Sequence, residues 1–504
     1  MGLLEYILIN YRWLFVIFFL MPVSVIYDTY FMLRNWWIFK MHSAPHSHAE
    51  KVKEVQRQVK AWKDDGSRSR MCTARPGWMA VSFREGKYKR TLRNININLI
   101  DILKVDEERR IVHVEPLACM GQLTATLAPL GWTLPIVPEL DDLTVGGLIM
   151  GVGIESSSHQ FGLMQHVCEA FELVLADGSC VRCSKYENED LFYAVPWSHG
   201  TLGFLVSAEI RIIPAKKYVR LTYQPCHTFE DLCATFKRES LKGTDGGKEE
   251  PSMFVEGLMY SKDTAVIMSG TLTDDAEPDK INAIGQYYKP WFFKHVESFL
   301  RKGEAVEYIP LRHYYHRHTR SIFWQLQDII PFGNNAFFRL VFGWMVPPKI
   351  SLLKLTQGQT IKEMYEKHQI IQDMLLPVNH MEKALECFHK EINLYPLWLC
   401  PFKCFNVPGF VHPKKPGQDE MFIDIGAYGA PKTTNFNSYE STRVLEKFVN
   451  DHDGFQMLYA DSYLTRDEFY EMFDHSLYSK MRKLLNCEKA FPEVYEKVNR
   501  AARA

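Results

Sequence analysis

The chain lacks the two commonest phosphate signatures. No G-x-x-x-x-G-K-[ST] loop occurs, which excludes a P-loop nucleotidase, and no G-x-G-x-x-G occurs, which excludes a Rossmann dinucleotide site of the usual kind. It also has no N-x-[ST] acceptor, as suits a main body that never meets the glycosylation machinery. Net charge is nearly absent: 59 Lys and Arg stand against 60 Asp and Glu, a balance of -1. Binding a nucleic-acid backbone needs clustered, uncompensated cations, so nucleic acid is excluded as the main partner. The 11 cysteines are scattered through 504 residues, without the dense spacing of a secreted disulfide framework, and are expected to be reduced thiols. That places the body on the cytosolic side. Cys180 and Cys183 form a C-x-x-C, but on a strand residues three apart point to opposite faces, so they are read as two strand cysteines.

Long apolar runs are also scarce, with one exception. Trp13 to Leu33 matches the ~20 residues a helix needs to cross a bilayer. Pro22 is tolerable there, and Asp28 lies close enough to the end to reach the interface. Arg34, Lys40, Lys51, Lys53, Arg57 and Lys60 follow it, against Arg12 before it, so the positive-inside rule puts the body in the cytosol. A buried or interfacial helix is the competing reading. Val52, Val55, Val59 and Trp62 then recur at helical spacing, predicting an amphipathic connector over 49–64. Short apolar runs follow at Met79–Phe83, Ile95–Leu99 and Ile111–Val114, then a helix from Met120 ending at Gly131. Asp177-Gly178, between two alternating runs, predicts a hairpin.

The densest chemical signal lies between Leu143 and Ser158. Gly146, Gly147, Gly151 and Gly153 sit among apolar residues, where glycine is costly unless the backbone must approach something closely. With Thr144 and Ser156 to Ser158 as donors, the stretch suits a pyrophosphate. We therefore take Thr144, Val145, Gly146, Gly147, Leu148, Ile149, Met150, Gly151, Val152, Gly153, Ile154, Glu155 and Ser156 as the candidate cofactor-binding residues. A glycine-rich buried turn would read the same way. A second small-residue loop, Ser198, Gly200, Thr201 and Gly203, enters a strand and is placed to enclose the other side of one extended ligand.

The order Val112-His-Val-Glu-Pro, the helix from Met120, Leu143-Thr-Val-Gly-Gly, Leu175-Ala-Asp-Gly, Asp190-Leu-Phe and Gly200-Thr-Leu-Gly resembles the FAD-binding domain of the vanillyl-alcohol oxidase and p-cresol methylhydroxylase (PCMH) family. Within it the chain is similar to the Δ24-sterol reductases over nearly its whole length, through Tyr308-Ile-Pro-Leu-Arg-His, Phe342-Gly-Trp-Met-Val-Pro-Pro-Lys, Phe422-Ile-Asp-Ile-Gly-Ala-Tyr-Gly and Gly454-Phe-Gln-Met-Leu-Tyr-Ala-Asp. Leu117 departs from the wider family, where many members have glycine. No Gly-Gly-His of the kind that links flavin covalently in some relatives occurs. The resemblance implies an α+β fold: a two-lobed PCMH-type FAD-binding domain plus an α+β substrate (cap) domain, with an N-terminal membrane helix. We divide the chain accordingly into an anchor (1–38), the FAD domain (39–215), the cap domain (216–453) and a C-terminal segment closing on the flavin domain (454–504).

It further implies non-covalent FAD, NADPH as reductant, a sterol substrate, and an endoplasmic reticulum or Golgi membrane. The activity implied is reduction of the Δ24 side-chain double bond. Two other readings stand beside it: an alcohol or lactone oxidase on the same cofactor domain, and a catalytically silent anchored module. Trp291-Phe292-Phe293, Phe323-Trp324 and Phe342-Gly-Trp344 are expected to line an apolar pocket for the sterol or to pack as core. His313, His316 and His318 cluster without a cysteine or carboxylate motif, so no metal is assigned. Tyr314, Tyr315, His316, Tyr459 and Asp461 are candidate acids, and none is assigned the catalytic role.

Overall fold

The computed structural model describes residues 11–503, apart from 77–78, 80–85, 244–249, 356–362, 364–366, 416 and 435. Most of the expected 79–83 run therefore lies outside the described residues. Two antiparallel sheets organise the rest. The first comprises β1 (Ile102–Asp106), β2 (Ile111–Val114), β3 (Cys168–Val174), β4 (Cys180–Ser184) and β5 (Phe204–Arg211), in spatial order β1-β2-β5-β3-β4. β3 and β4 are joined at Asp177-Gly178, where Gly178 takes φ +86° and Asp177 Oδ1 accepts from the Ser179 N–H at 2.8 Å. Cys183 is buried and Cys180 exposed, on opposite faces of β4.

The second sheet comprises β6 (Tyr218–Cys226), β7 (Phe254–Met259), β8 (Ala265–Thr273), β9 (Ala305–Pro310), β10 (Ile370–Pro377), β11 (Leu397–Cys404), β12 (Glu420–Gly429) and β13 (Phe455–Gln456). Its order is β9-β6-β8-β7-β11-β12-β10-β13, antiparallel throughout. β12 reads Glu-Met-Phe-Ile-Asp-Ile-Gly-Ala-Tyr-Gly and is buried from its second residue to its last, because both its faces are covered. That is why its pattern is nearly continuous rather than alternating. β13 joins this sheet from beyond residue 453, past the expected end of the cap domain. The helix Ser438–Asp451, capped by Asn437 accepting from the Tyr439 and Glu440 N–H groups, packs on this sheet at β10 and β13.

Two helices lead into the first sheet. α1 spans Arg12–Lys40, long and apolar enough to cross a membrane. Val16, Ile17, Leu20, Met21 and Ser24 are buried against the body, whereas Phe18, Phe19, Ile26, Tyr30, Leu33, Trp36 and Trp37 face outward. Asp28 pairs with Lys349 at 2.6 Å, so the carboxylate that interrupts the apolar run is matched by a cation from the body. α2 (Ala44–Asp64) is more than the connector its periodicity suggested. Val55, Val59 and Trp62 are buried, and Lys51 reaches both Asp101 (2.6 Å) and Glu115 (2.9 Å). Arg34 of α1 also binds Asp101, at 2.7 Å. Two of the cations counted for the positive-inside argument thus serve as intramolecular ion pairs.

The two sheets are joined through one buried guanidinium. Arg317 donates from Nη2 to Glu155 Oε1 and from Nε to Glu256 Oε1, each at 2.7 Å, and all three side chains are fully buried. Glu155 follows the glycine stretch in the lobe of the first sheet, and Glu256 belongs to β7. Beside them the Val255 N–H donates to the Ser156 carbonyl at 2.7 Å. Removing one member of a buried pair leaves uncompensated charge, at a cost of about 3–5 kcal/mol. Arg317→Met is therefore expected to lower the thermal unfolding midpoint of the full chain clearly. An unchanged midpoint would show that the lobes do not depend on this link.

Candidate active site

The glycine stretch is not a free loop. Thr144 is extended, at φ -97° and ψ 145°, and is followed by one short helix, α3 (Val145–Met150), which contains Gly146 and Gly147. The reason lies on the side opposite any ligand. A Cβ on Gly146 would sit 2.8 Å from Pro116 Cβ and 3.0 Å from its carbonyl, and the Gly146 N–H donates to that carbonyl at 2.7 Å. Gly146 therefore lets α3 close on the Val112-His-Val-Glu-Pro motif. The same motif's Glu115 is buried against His48 and Lys51. Gly153 is packed similarly, 2.8 Å from Met164 Cβ. Gly147 differs: it is exposed, and a Cβ there would meet only Thr144 Oγ1, at 3.1 Å.

Gly147 faces a cavity of about 530 Å³ between the two lobes. Of the expected residues, Thr144, Gly146, Gly147, Leu148, Met150, Gly151, Val152, Gly153 and Ile154 line it. Val145, Ile149, Glu155 and Ser156 do not. Val145 and Ile149 are on the core side of α3 and fully buried. Glu155 is taken by Arg317, and Ser156 Oγ pairs with Tyr314 Oη at 3.0 Å. From the second loop, His199, Gly200 and Gly203 complete the opposite wall, while Ser198 and Thr201 are turned inward, each bonding a carbonyl within the loop.

Arg75, Lys89, Lys497 and Arg503, which no motif revealed, also reach this cavity, as do Arg12 and Lys354. Arg75 donates to Thr144 Oγ1 at 3.1 Å, Lys89 to the Thr73 carbonyl at 2.7 Å, and Lys497 to the His199 carbonyl. Burial lowers the pKa of Arg75 and Lys89. Lys497 falls to about 7, through burial first and then the charges of Lys89 and Arg503. His199 Nε2 is buried without a partner among the described residues. A concave wall with exposed glycine backbone, clustered cations and an unsatisfied imidazole nitrogen suits a diphosphate. The cations are spread from position 12 to 503, so no local spacing announces them.

The cap sheet supplies the other wall through Ile371, Asp373, Trp398 and Tyr428, with Phe323, Met457 and Tyr459 beside them. The expected aromatics divide differently from the sequence reading. Trp291, Phe292 and Phe293 are core, Trp324 donates to the Tyr428 carbonyl at 2.6 Å, and Trp344 is exposed near α1. Among that set Phe323 lines the cavity. The histidines separate too. His316 bonds Thr124 at 2.7 Å and Asp141 at 2.8 Å, and His318 lies 3.3 Å from Glu256. Of the candidate acids, Tyr459 lines the cavity, Tyr315 is bonded to Thr133 and Tyr314 to Ser156.

Residues 48–184 match the model of the FAD binding domain family. The cofactor is FAD, whose diphosphate suits such a wall without either common nucleotide motif. The chain is 61% identical to the Delta(24)-sterol reductase of Homo sapiens, over 99% of this chain and 96% of that one, and equally to that of Mus musculus over the same shares. To the Delta(24)-sterol reductase of Arabidopsis thaliana it is 41% identical, over 97% of this chain and 91% of the relative. The chain belongs to the Δ24-sterol reductase family.

The two glycines of α3 predict different failures. Gly147→Val puts its side chain into the cavity without touching backbone, so it is expected to fold with an unchanged unfolding midpoint as apoprotein and to purify without flavin absorbance. Gly146→Val collides with Pro116 and is expected to lower stability. A Gly147→Val protein that keeps a full flavin spectrum would remove α3 from the cradle.

Proposed function

We propose that the chain reduces the Δ24 double bond of sterol intermediates, using FAD held at α3 and NADPH as the source of electrons. The observation that carries the reading is that one cavity has two unlike walls. Glycine backbone and cations form one, and an apolar, ring-bearing sheet face forms the other. When bound, the reduced flavin supplies hydride. The chain's own residues do the rest: Thr144, Gly147, Gly151 and His199, with Arg75, Lys89 and Lys497, hold the diphosphate. Phe323, Trp398 and Ile371 exclude water and hold the sterol side chain against the cofactor.

The approach to the cavity fits a lipid. At Arg75, Pro76, Ile97, Leu117, Asp142, Thr144 and Ile350 it adjoins a wider groove of about 2010 Å³, whose further lining includes Tyr27, Phe31, Trp36 and Phe39 of α1. A substrate dissolved in the bilayer would enter there. The membrane is that of the endoplasmic reticulum, with α1 as the anchor and the body on the cytosolic side.

Single turnover with deuterium-labelled NADPH and a Δ24 sterol is expected to place deuterium on the more substituted alkene carbon and a solvent proton on its neighbour. Turnover with an alcohol or lactone, and none with the sterol, would replace this reading. Protease added to sealed microsomes is expected to digest the body. Its full protection would reverse the orientation.

A further inference from the structure

Saturating an isolated alkene needs a proton as well as hydride, because no neighbouring carbonyl can take up negative charge. The source of that proton is the question the cap sheet answers, provided the reductase reading above holds. Three neighbouring strands align a row across one face: Trp398 of β11 is paired with Gly426 of β12, which is paired with Asp373 of β10. Tyr428 lies two residues beyond Gly426 on the same face, opposite Ile371. Its ring folds back over the glycine, and its hydroxyl donates to Asp373 Oδ1 in a short hydrogen bond. A Cβ at position 426 would fall 2.5 Å from Tyr428 Oη and 2.7 Å from Asp373 Oδ1. Gly426 is therefore the residue that makes room for the pair. Asp373, Tyr428 and Trp398 are all buried and all line the cavity.

The surroundings of Asp373 favour its neutral form. Burial lifts its carboxyl to about 7, against the opposing effect of the Tyr428 hydrogen bond. Asp424, on the same face of β12, is raised as well, by burial first and then by Asp373 and Glu139, and Glu139 is also felt by Tyr428. Other carboxyls on the cavity stand in different surroundings. Glu139 is raised by burial and then by the neighbouring Glu155 charge, Asp142 pairs with Lys349, and Asp328 is raised by burial, whereas the Tyr428 hydroxyl holds Asp373.

We propose that Asp373 is the general acid of the alkene reduction and that Tyr428 positions it. Because Oδ1 accepts from Tyr428, the proton sits on Oδ2. That O–H bond breaks as the alkene π pair forms a C–H bond at the less substituted carbon. The positive charge left on the more substituted carbon is quenched by hydride, whose two electrons come from NADPH. Asp373 remains as a carboxylate held by the Tyr428 hydroxyl, and solvent returns its proton. One alkene, one hydride and one proton are consumed.

The test separates the two half-reactions in the holoenzyme. Asp373→Asn is expected to take up FAD and to be reduced by NADPH at the wild-type rate, while reoxidation by a Δ24 sterol slows about 10²–10⁴-fold, the usual worth of a general acid. Its infrared spectrum should lose a protonated-carboxyl band that the wild type shows. Tyr428→Phe removes the bond that lowers the Asp373 pKa. The limb on which sterol-driven reoxidation falls with rising pH should therefore move to higher pH. Reoxidation of Asp373→Asn at the wild-type rate would overturn the assignment, as would loss of reoxidation in Glu139→Gln with Asp373→Asn unaffected. An unmoved limb in Tyr428→Phe would also contradict it. If NADPH-reduced wild type is not reoxidised by the sterol at all, the reductase reading itself fails and the assignment falls with it.

Discussion

The Arg317 guanidinium, fully buried between Glu155 and Glu256, is the contact on which the geometry of the cavity depends. Charge taken out of water this completely is tolerated only where each partner is matched. Arg317 also donates to the Tyr314 carbonyl at 3.0 Å, and Glu256 Oε2 accepts from Trp398 Nε1 at 2.9 Å. Through Glu155 the clamp fixes the end of the glycine stretch. Through Trp398 it fixes the strand that carries the cap wall. The two walls of the cavity are thus held by opposite sides of one cation, and a change in that link would be felt on both.

With the lobes fixed, the cavity combines two environments that would destabilise each other without their ligands. On the flavin side, cations gather with few carboxylates, and Lys497 is pushed down towards neutrality. A bound diphosphate would relieve that cost by supplying the missing anion. On the cap side the acidic groups Asp373 and Asp424 are pushed the other way, towards the protonated form. Buried groups displaced from their ordinary titration ranges cluster at functional sites. Here the two displacements, opposite in sign, fall on opposite walls of one cavity, the walls proposed above for the diphosphate and for the sterol side chain.

Much of this was legible in the sequence where the signal was local. The hairpin at Gly178, the helix ending at Gly131, the apolar α1 and the glycine stretch each depend on residues close in the chain. The short helix inside that stretch was not legible, because glycine's cost in a helix is outweighed by a tertiary demand, the approach of Gly146 to Pro116. Glu155 and Ser156 were assigned to the cofactor because they continue the stretch, but beyond Ile154 the chain turns into the clamp. Lys497 and Arg503 could not be placed near Arg75 and Lys89 by spacing, since four hundred residues intervene. Asp373 and Tyr428 gave only an ordinary buried-strand pattern, and their pairing is visible only in the register of β10 against β12.

The proposed reaction requires that cofactor diphosphate and sterol side chain share this cavity, at its opposite ends. A structure of the protein with FAD and a Δ24 sterol bound tests it directly. The diphosphate is expected against α3 and Lys497, and an alkene carbon within about 3–3.5 Å of the Asp373 carboxyl, the separation of a reactive pose. A sterol whose alkene lies away from Asp373, or a diphosphate seated outside the α3 cradle, would contradict it.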